Sequence, residues 1–496
     1  MRFSVKIVKL KSLPLLIMHL QVYGVILVYY NVIEGRSQVI FLRVDKNANL
    51  WDNKGMKKPM TERAVATAVL KEITQDGAYS GVALRRALAG HAHLERAQKA
   101  FVTEIVAGCV RNLFLIDHII GQFSKTPVAR IKPFLLNVLR ISVYQLKFMD
   151  KVPEFAVCNE AVQMAKQQGF SGLSGYVNGV LRNIARNEVK MPDEMWMRYS
   201  VQPWIVEHFT KEIGQDATAD LLKSIMTPPT ITIAANTLKI TTDELIEILK
   251  GEGVEVLASK LPDALNLAKT ADIAALPSFL QGLYHVMDAS AIIAMLCGGV
   301  KKDAHIIDLC AAPGGKAFLA AYLAGEGATL LVRDVHEHKI KLLNAGIARL
   351  GLKNAKAKLA DACIHDPSLI QTADHLIIDA PCSGLGTLKK RPDIKLSKEY
   401  DSIQALASLS RKIIENSWQY VKIGGTMQFL TCTIADEENY QQYKWICENL
   451  PFKPVDFSEK LPDGFDCKTA KEGYMQILPQ DFGSDGFFIS TFERIR

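Results

Sequence analysis

The chain has 496 residues, 49% of them hydrophobic and 22% charged. That much apolar surface supports packed cores and excludes a disordered or low-complexity protein. Nine cysteines are too sparse for a disulfide scaffold and lack the paired C-x-x-C spacing of structural zinc, so a reducing compartment and no metal are expected. Residues 1–60 carry ten Lys/Arg and three acids, which accounts for the whole net charge of +7. Residues 61–496 hold 49 of each sign. Bulk charge therefore says nothing of their partners, and a nucleic-acid argument has to rest on local patches.

No charge intervenes between Lys11 and Glu34, a run long enough to span a bilayer and preceded by basic residues. His19, Gln21 and Asn31 are polar, and Pro14 and Gly24 interrupt the run. As an anchor it would put the long body outside the cytoplasm, against the chemistry below. Met56 and Met60 lie just before TERAVATAVLKEI, where Thr61 can cap a helix. Residues 1–60 are expected to be a spurious or dispensable leader.

Residues 61–188 predict an all-helical domain. Apolar residues recur at helical spacing in AVATAVLKEI, AFVTEIVAGCVRNLFLIDHII and PFLLNVLRISVYQL. RISVYQLKFMDKVP (140–153), VCNEAVQMAK (157–166) and YVNGVLRNI (176–184) resemble the NusB family of RNA-binding helical domains, in spacing as well as residues. The resemblance implies a surface that grips structured RNA. Arg130, Lys132, Arg140, Lys147 and Lys151 form a basic cluster consistent with it; without the resemblance they read as a solvated helix face.

Residues 189–300 predict a small α+β connector. DEMWMRYSVQPWIVEHFTKEI suggests amphipathic helices, PPTITIAANTLK a strand, and TTDELIEILKGEG a capped helix ending at glycine. Its sequence carries no chemistry.

Residues 301–496 alternate strands with helices, which predicts a doubly wound, mostly parallel sheet with ligands at the carboxyl ends of its strands. After AHIID comes the turn Cys310-Ala311-Ala312-Pro313-Gly314-Gly315-Lys316, where small residues let the backbone approach a ligand. It holds neither G-x-G-x-x-G nor G-x-x-x-x-G-K-[ST], which disfavours a dinucleotide oxidoreductase and a phosphate-cradling loop. Asp334, Asp361 and Asp379 stand at or near the ends of the next strands. One such Asp would read as a helix cap; the ordered set suits a nucleoside cofactor lacking phosphates, and S-adenosylmethionine fits. Cys382 and Cys432 fall in polar turns at the same edge, the partly exposed setting that thiolates need. Cys109, Cys158, Cys297, Cys363, Cys447 and Cys467 read as inert packing. Lys389, Lys390, Arg391 and Lys395 form a positive patch expected to contact phosphate.

DLCAAPGGK, DAPCSG, KRPDIK, the T-C-T block and DGFF (485–488) together resemble the RsmB (Sun/Fmu) family of ribosomal RNA cytosine-C5 methyltransferases. The resemblance spans roughly 61–496. It implies a Rossmann-like methyltransferase domain that moves a methyl group from S-adenosylmethionine to C5 of a cytosine in 16S ribosomal RNA. Cys432 would attack C6, Cys382 would assist breakdown and release, Asp379 would face the cytosine edge near N3, and Lys316 would support Asp379. The cofactor contacts would be Cys310 through Lys316, Asp334, Asp361 and Asp379. Three positions depart from the family pattern: Thr433 replaces Ser, Ala234 replaces an Arg, and Met287 replaces a Gln. They leave the catalytic set intact and bear on substrate affinity or target. The expected substrate is 16S ribosomal RNA, free or partly assembled, met by a cytoplasmic monomer with no stable protein partner and no membrane. Alternatives are the same reaction on transfer RNA, or a non-catalytic RNA-binding factor, against which the presence of Cys432 and Asp379 argues.

Overall fold

The computed structural model describes residues 60–496, apart from 269–271, 464 and 466, and the backbone of two earlier strands. Those strands, β1 (Ile26–Ile33) and β2 (Arg36–Arg43), pair antiparallel within a separate compact unit, residues 1–61. The uncharged run is therefore strand over its last eight residues, and the remainder of the leader lies outside the described residues. Among the described residues, no helix is long and apolar enough to cross a membrane.

The second unit, Glu62–Arg496, begins with seven α-helices between Glu62 and Arg186. Helical spacing buries Val65, Ala66, Val69 and Leu70 of Glu62–Gln75, which packs on Pro133–Phe148, where Val138, Leu139 and Ile141 are buried. The connector follows. Helices Pro203–Ile213 and Gln215–Ser224 precede an antiparallel sheet of β3 (Ile231–Ala235), β4 (Val256–Leu257), β5 (Ala264–Leu267) and β6 (Tyr284–Val286), in the order β4-β5-β3-β6. Thr241 and Glu244 close a reciprocal capping box on helix Thr242–Gly251. Asn236 ties the connector to the next domain, its Nδ2 donating to the carbonyls of Gly282 and Leu350 at 3.0 Å each.

The third domain is built on one sheet. Its strands are β7 (His305–Asp308), β8 (Thr329–Asp334), β9 (Ala355–Leu359), β10 (Ala373–Asp379), β11 (Val421–Thr431), β12 (Phe452–Pro454), β13 (Tyr474–Ile477) and β14 (Phe487–Arg494). The order is β12-β14-β11-β10-β7-β8-β9, with β13 also on β14. β7 through β11 pair in parallel, and β14 is antiparallel to its three neighbours. The chain starts at β7, runs out to β9 and returns beyond β7 at β10. That reversal opens a crevice at the carboxyl ends of β7 and β10. Successive side chains alternate between the faces: Ile306, Ile377 and Ile489 join one core, Ile307, Ile378 and Phe488 the other.

Candidate active site

The crevice is lined by acids. Asp308 ends β7 almost fully buried. Its Oδ1 accepts from the Cys310 N–H at 3.2 Å, and its Oδ2 is buried with no hydrogen-bond partner. Burial, reinforced by the Asp379 charge, pushes its carboxyl up to about 8. Asp334 ends β8; it accepts from the His336 N–H at 3.0 Å and pairs with Lys339 at 3.3 Å. Asp361, two residues past β9, accepts from the Cys363 N–H at 2.8 Å. One oxygen of each of these three thus braces its own turn, as a capping reading would have it, while all three still stand at the strand ends that parallel pairing brings together.

The turn from Cys310 to Lys316 connects β7 to helix Gly315–Ala324. Burial, with the Asp308 charge beside it, pushes the Cys310 thiol up. Ala311 donates its N–H to the Arg333 carbonyl at 2.9 Å, and the Ala312–Pro313 peptide is cis. Gly314 sits at φ +112°, and a Cβ there would lie 2.3 Å from the Phe318 ring. Only glycine fits that position. Gly315 accepts from His285 of the connector at 3.1 Å.

Lys316 turns from that helix to Asp379, where Nζ to Oδ2 is 2.6 Å. Burial disfavours its charge, but the Asp379 carboxylate outweighs that and holds the ammonium above its ordinary value. Nζ also lies 5.0 Å from the centre of the Phe487 ring. Beyond Asp379 the chain reaches Cys382, whose Sγ is 3.4 Å from Cys432 Sγ at the end of β11. Both thiols are free. They divide the proton unequally. The hydrogen bond from Cys382 holds Cys432 below its ordinary value, with Lys316 adding attraction; Cys382 is pushed well up.

Three loops cross to hold this pair. The Gly386 N–H donates to the Cys432 carbonyl at 3.0 Å, and the Gly486 N–H to the Gly386 carbonyl at 2.8 Å. A Cβ on Gly386 would come within 2.0 Å of the Gly486 carbonyl oxygen, so the crossing requires glycine. Glu438 braces the turns from behind, accepting from the Ser383 N–H at 2.8 Å and from its hydroxyl. Ser383 in turn bonds Thr433 at 2.7 Å. Asp308, Ser383, Glu438 and Phe487 were not singled out by sequence reasoning, although each lies within or beside a motif that was.

The basic segment corrects an expectation. Lys395 is 1% exposed and donates to the backbone carbonyls of Arg111 (2.6 Å) and Tyr199 (3.0 Å). Asp393 accepts from Ser80 of the helical domain. Lys389 is also buried and donates to the Gly483 carbonyl at 3.1 Å. Lys390 is held between Asp288 and Asp485. KRPDIK is thus mainly a clasp between domains, and of the four residues expected to meet phosphate only Arg391 is exposed and without such a tie among the described residues. Likewise Arg140 of the helical domain turns inward to Asp117, at 2.6 and 2.8 Å, while Arg130, Lys132, Lys147 and Lys151 remain exposed.

Residues 296–493 match the family described as 16S rRNA methyltransferase RsmB/F. Residues 60–186 match the NusB family, and 202–274 the RsmF/B-like ferredoxin-like domain. The chain is 32% identical over 448 residues to the probable ribosomal RNA small subunit methyltransferase B of Bacillus subtilis, a match covering 88% of this chain and 99% of that one. The chain belongs to the RsmB/F family. The corresponding protein of a Synechocystis species is 31% identical, covering 88% of this chain and 100% of its own. The crystal structure of PH0851 superposes with a TM-score of 0.72 at 26% identity, covering 88% of this chain and 100% of that one.

As a member of this methyltransferase family the chain uses S-adenosylmethionine. The crevice fits it: the buried Asp308 Oδ2 at the end of β7 lacks a partner. The departures from the RsmB pattern can now be placed. Thr433 keeps the hydroxyl that Ser383 bonds. Ala234, on β3, is buried in the core cluster that also holds Ile306 of β7. Met287 approaches the cofactor turn, its Cγ 3.8 Å from where a Gly315 Cβ would stand.

Proposed function

We propose that this RsmB/F chain methylates C5 of a cytosine in 16S ribosomal RNA, in the cytoplasm, through a covalent bond between Cys432 and C6. The observation that carries the reading is the Cys382–Cys432 contact of 3.4 Å beside the Lys316–Asp379 pair. Bound S-adenosylmethionine supplies an electrophilic methyl group, and Asp308, Asp334, Asp361 and the Cys310–Lys316 turn would hold it. Cytosine C5 is a poor nucleophile until a thiolate adds to C6, and this is what the two cysteines provide. Cys382, donating to Cys432, keeps Cys432 ready as thiolate. Cys432 then bonds C6 while N3 takes a proton from solvent, and the Asp379 carboxylate, fixed by Lys316, accepts a hydrogen bond from that N3–H. Once C5 carries the methyl group, a solvent water takes the C5 proton as the C5–C6 double bond re-forms and the C6–S bond breaks; Cys382 donates its hydrogen bond to the departing sulfur, Cys432 recovers its thiolate, and N3 gives its proton back to solvent. Both sulfurs must reach one base, so the target is a loop or extruded nucleotide.

The test is incubation of the protein with radiolabelled S-adenosylmethionine and deproteinised 16S ribosomal RNA, with transfer RNA in parallel. Label recovered as 5-methylcytosine in the ribosomal RNA is the expected result. Label only in transfer RNA keeps the chemistry and discards the target; no transfer with cofactor bound favours a non-catalytic binding factor or a requirement for an assembled particle. Cys382→Ala is expected to accumulate a protein–RNA adduct on a denaturing gel, and Cys432→Ala to give neither adduct nor product. The reverse pattern would exchange the two roles.

A further inference from the structure

A second cluster lies behind the catalytic loops. The connector helix Pro203–Ile213 places His208 and Glu212 one turn apart, on one face. Glu437, on the turn after β11, meets them. One ligand atom from each of the three lies within 4.8 Å of the others. His208 Nε2 is 3.1 Å from Glu212 Oε1 and 3.8 Å from Glu437 Oε2. The His208 side chain is 5% exposed. Yet its Nε2, and Glu437 Oε2 facing it, are buried without a hydrogen-bond partner, so the 3.1 Å approach lacks hydrogen-bond geometry.

Unpaired lone pairs turned toward one another in a buried site are costly unless something cationic joins them. The outer contacts are those of an oriented ligand set. Glu212 Oε1 also accepts from the Asp436 N–H at 3.0 Å, and Glu437 Oε1 from the Tyr400 hydroxyl at 3.2 Å. The rings of Trp204 and Tyr400 pack around the imidazole, with centroids 6.4 and 5.7 Å from it. One imidazole and two carboxylates, supported in this way, suit a divalent first-row transition ion that keeps water in its open positions.

We propose that His208, Glu212 and Glu437 bind one divalent transition-metal ion that fastens the connector to the catalytic loops. Sequence reading expected no metal, on the missing C-x-x-C spacing; here the third ligand stands 225 positions beyond Glu212, outside any local motif. The consequence for the active site runs through one peptide unit. Glu437 is followed by Glu438, which holds Ser383 beside Cys382 and, through it, Thr433 beside Cys432. An ion here positions that brace without touching a reacting atom.

The experiment is titration of the chelator-treated full chain with Mn2+, followed by the electron paramagnetic resonance signal of free Mn2+. One ion bound per chain is expected. Glu437→Gln and His208→Gln should each weaken binding at least about tenfold. Circular dichroism and cofactor binding show that each variant is folded. A Co2+ titration identifies the ligands, because the three proposed donors give no thiolate-to-cobalt charge-transfer band. No binding at millimolar Mn2+, affinity unchanged in both folded variants, or a thiolate band from the Cys382–Cys432 pair would each overturn the proposal.

Discussion

Within the connection from β10 to helix Asp401–Ser417, two neighbouring segments behave oppositely. Residues 379–386 leave Asp379 and Cys382 partly exposed at the crevice. Residues 389–395, which look like a surface patch, turn two of their lysines inward to backbone carbonyls. A side chain's direction is set by which partner is unsatisfied nearby. The C-terminal carbonyls of helix Arg96–Arg111 need donors. A long lysine stem from the neighbouring domain supplies one to the Arg111 carbonyl while burying its methylenes. Charge in a motif therefore marks chemistry in the first segment and assembly in the second.

Lys316→Met separates the two roles most strongly. It keeps the stem and removes the ammonium beside Asp379, so methyl transfer should fall about 100- to 1,000-fold while RNA binding persists. Single-turnover methylation checks this; a rate within a few-fold of the parent would remove Lys316 from the mechanism. Lys395→Met should do the opposite. It strands the Arg111 and Tyr199 carbonyls and should cost about 1–3 kcal/mol in urea unfolding, with turnover per folded molecule retained. Its pH dependence sharpens the point. Burial, with Arg111 nearby, pushes Lys395 down to about 7. The unfolded chain holds that proton up to about pH 10.4 and the folded chain releases it near 7, so the unfolded state binds more protons in between. Stability from this group rises with pH across that window, and Lys395→Met should flatten the rise. The smallest effect belongs to Arg391→Ala. At an exposed position it should shift stability by less than about 0.5 kcal/mol. If Arg391 alone of the four reaches phosphate, the salt slope of RNA binding should fall by about one.

The sequence carried the parts whose placement follows from chain direction. Parallel strands present their carboxyl ends to one edge, so Asp334, Asp361, Asp379 and the Cys310–Lys316 turn could be set in one crevice before any contact was known. The two cysteines stood out because polar turns surround them. The braces were not legible. Glu438 lies 55 positions from Ser383, and nothing local distinguishes it from its acidic neighbours Asp436 and Glu437. The antiparallel insertion of β14 between β11 and β12 was hidden for a related reason. DGFF reads as a motif, while the strand it opens pairs not only with nearby β13 but with β11, far upstream. Lys395 failed differently, because composition reports a charge and not the carbonyl it will meet.

The crossing of Gly386, Gly486 and the Cys432 carbonyl also constrains the order in which the molecule can become active. A chain made from its amino end has its helical domain and both cysteines in hand while β14 is still missing. Until residues 485–494 are added, nothing occupies the place between β11 and β12, and Phe487 does not yet cover Lys316. Residues 485–494 thus complete the floor of the crevice, and a nascent chain that lacks them can fold its helical domain before Gly486 and Phe487 join the site.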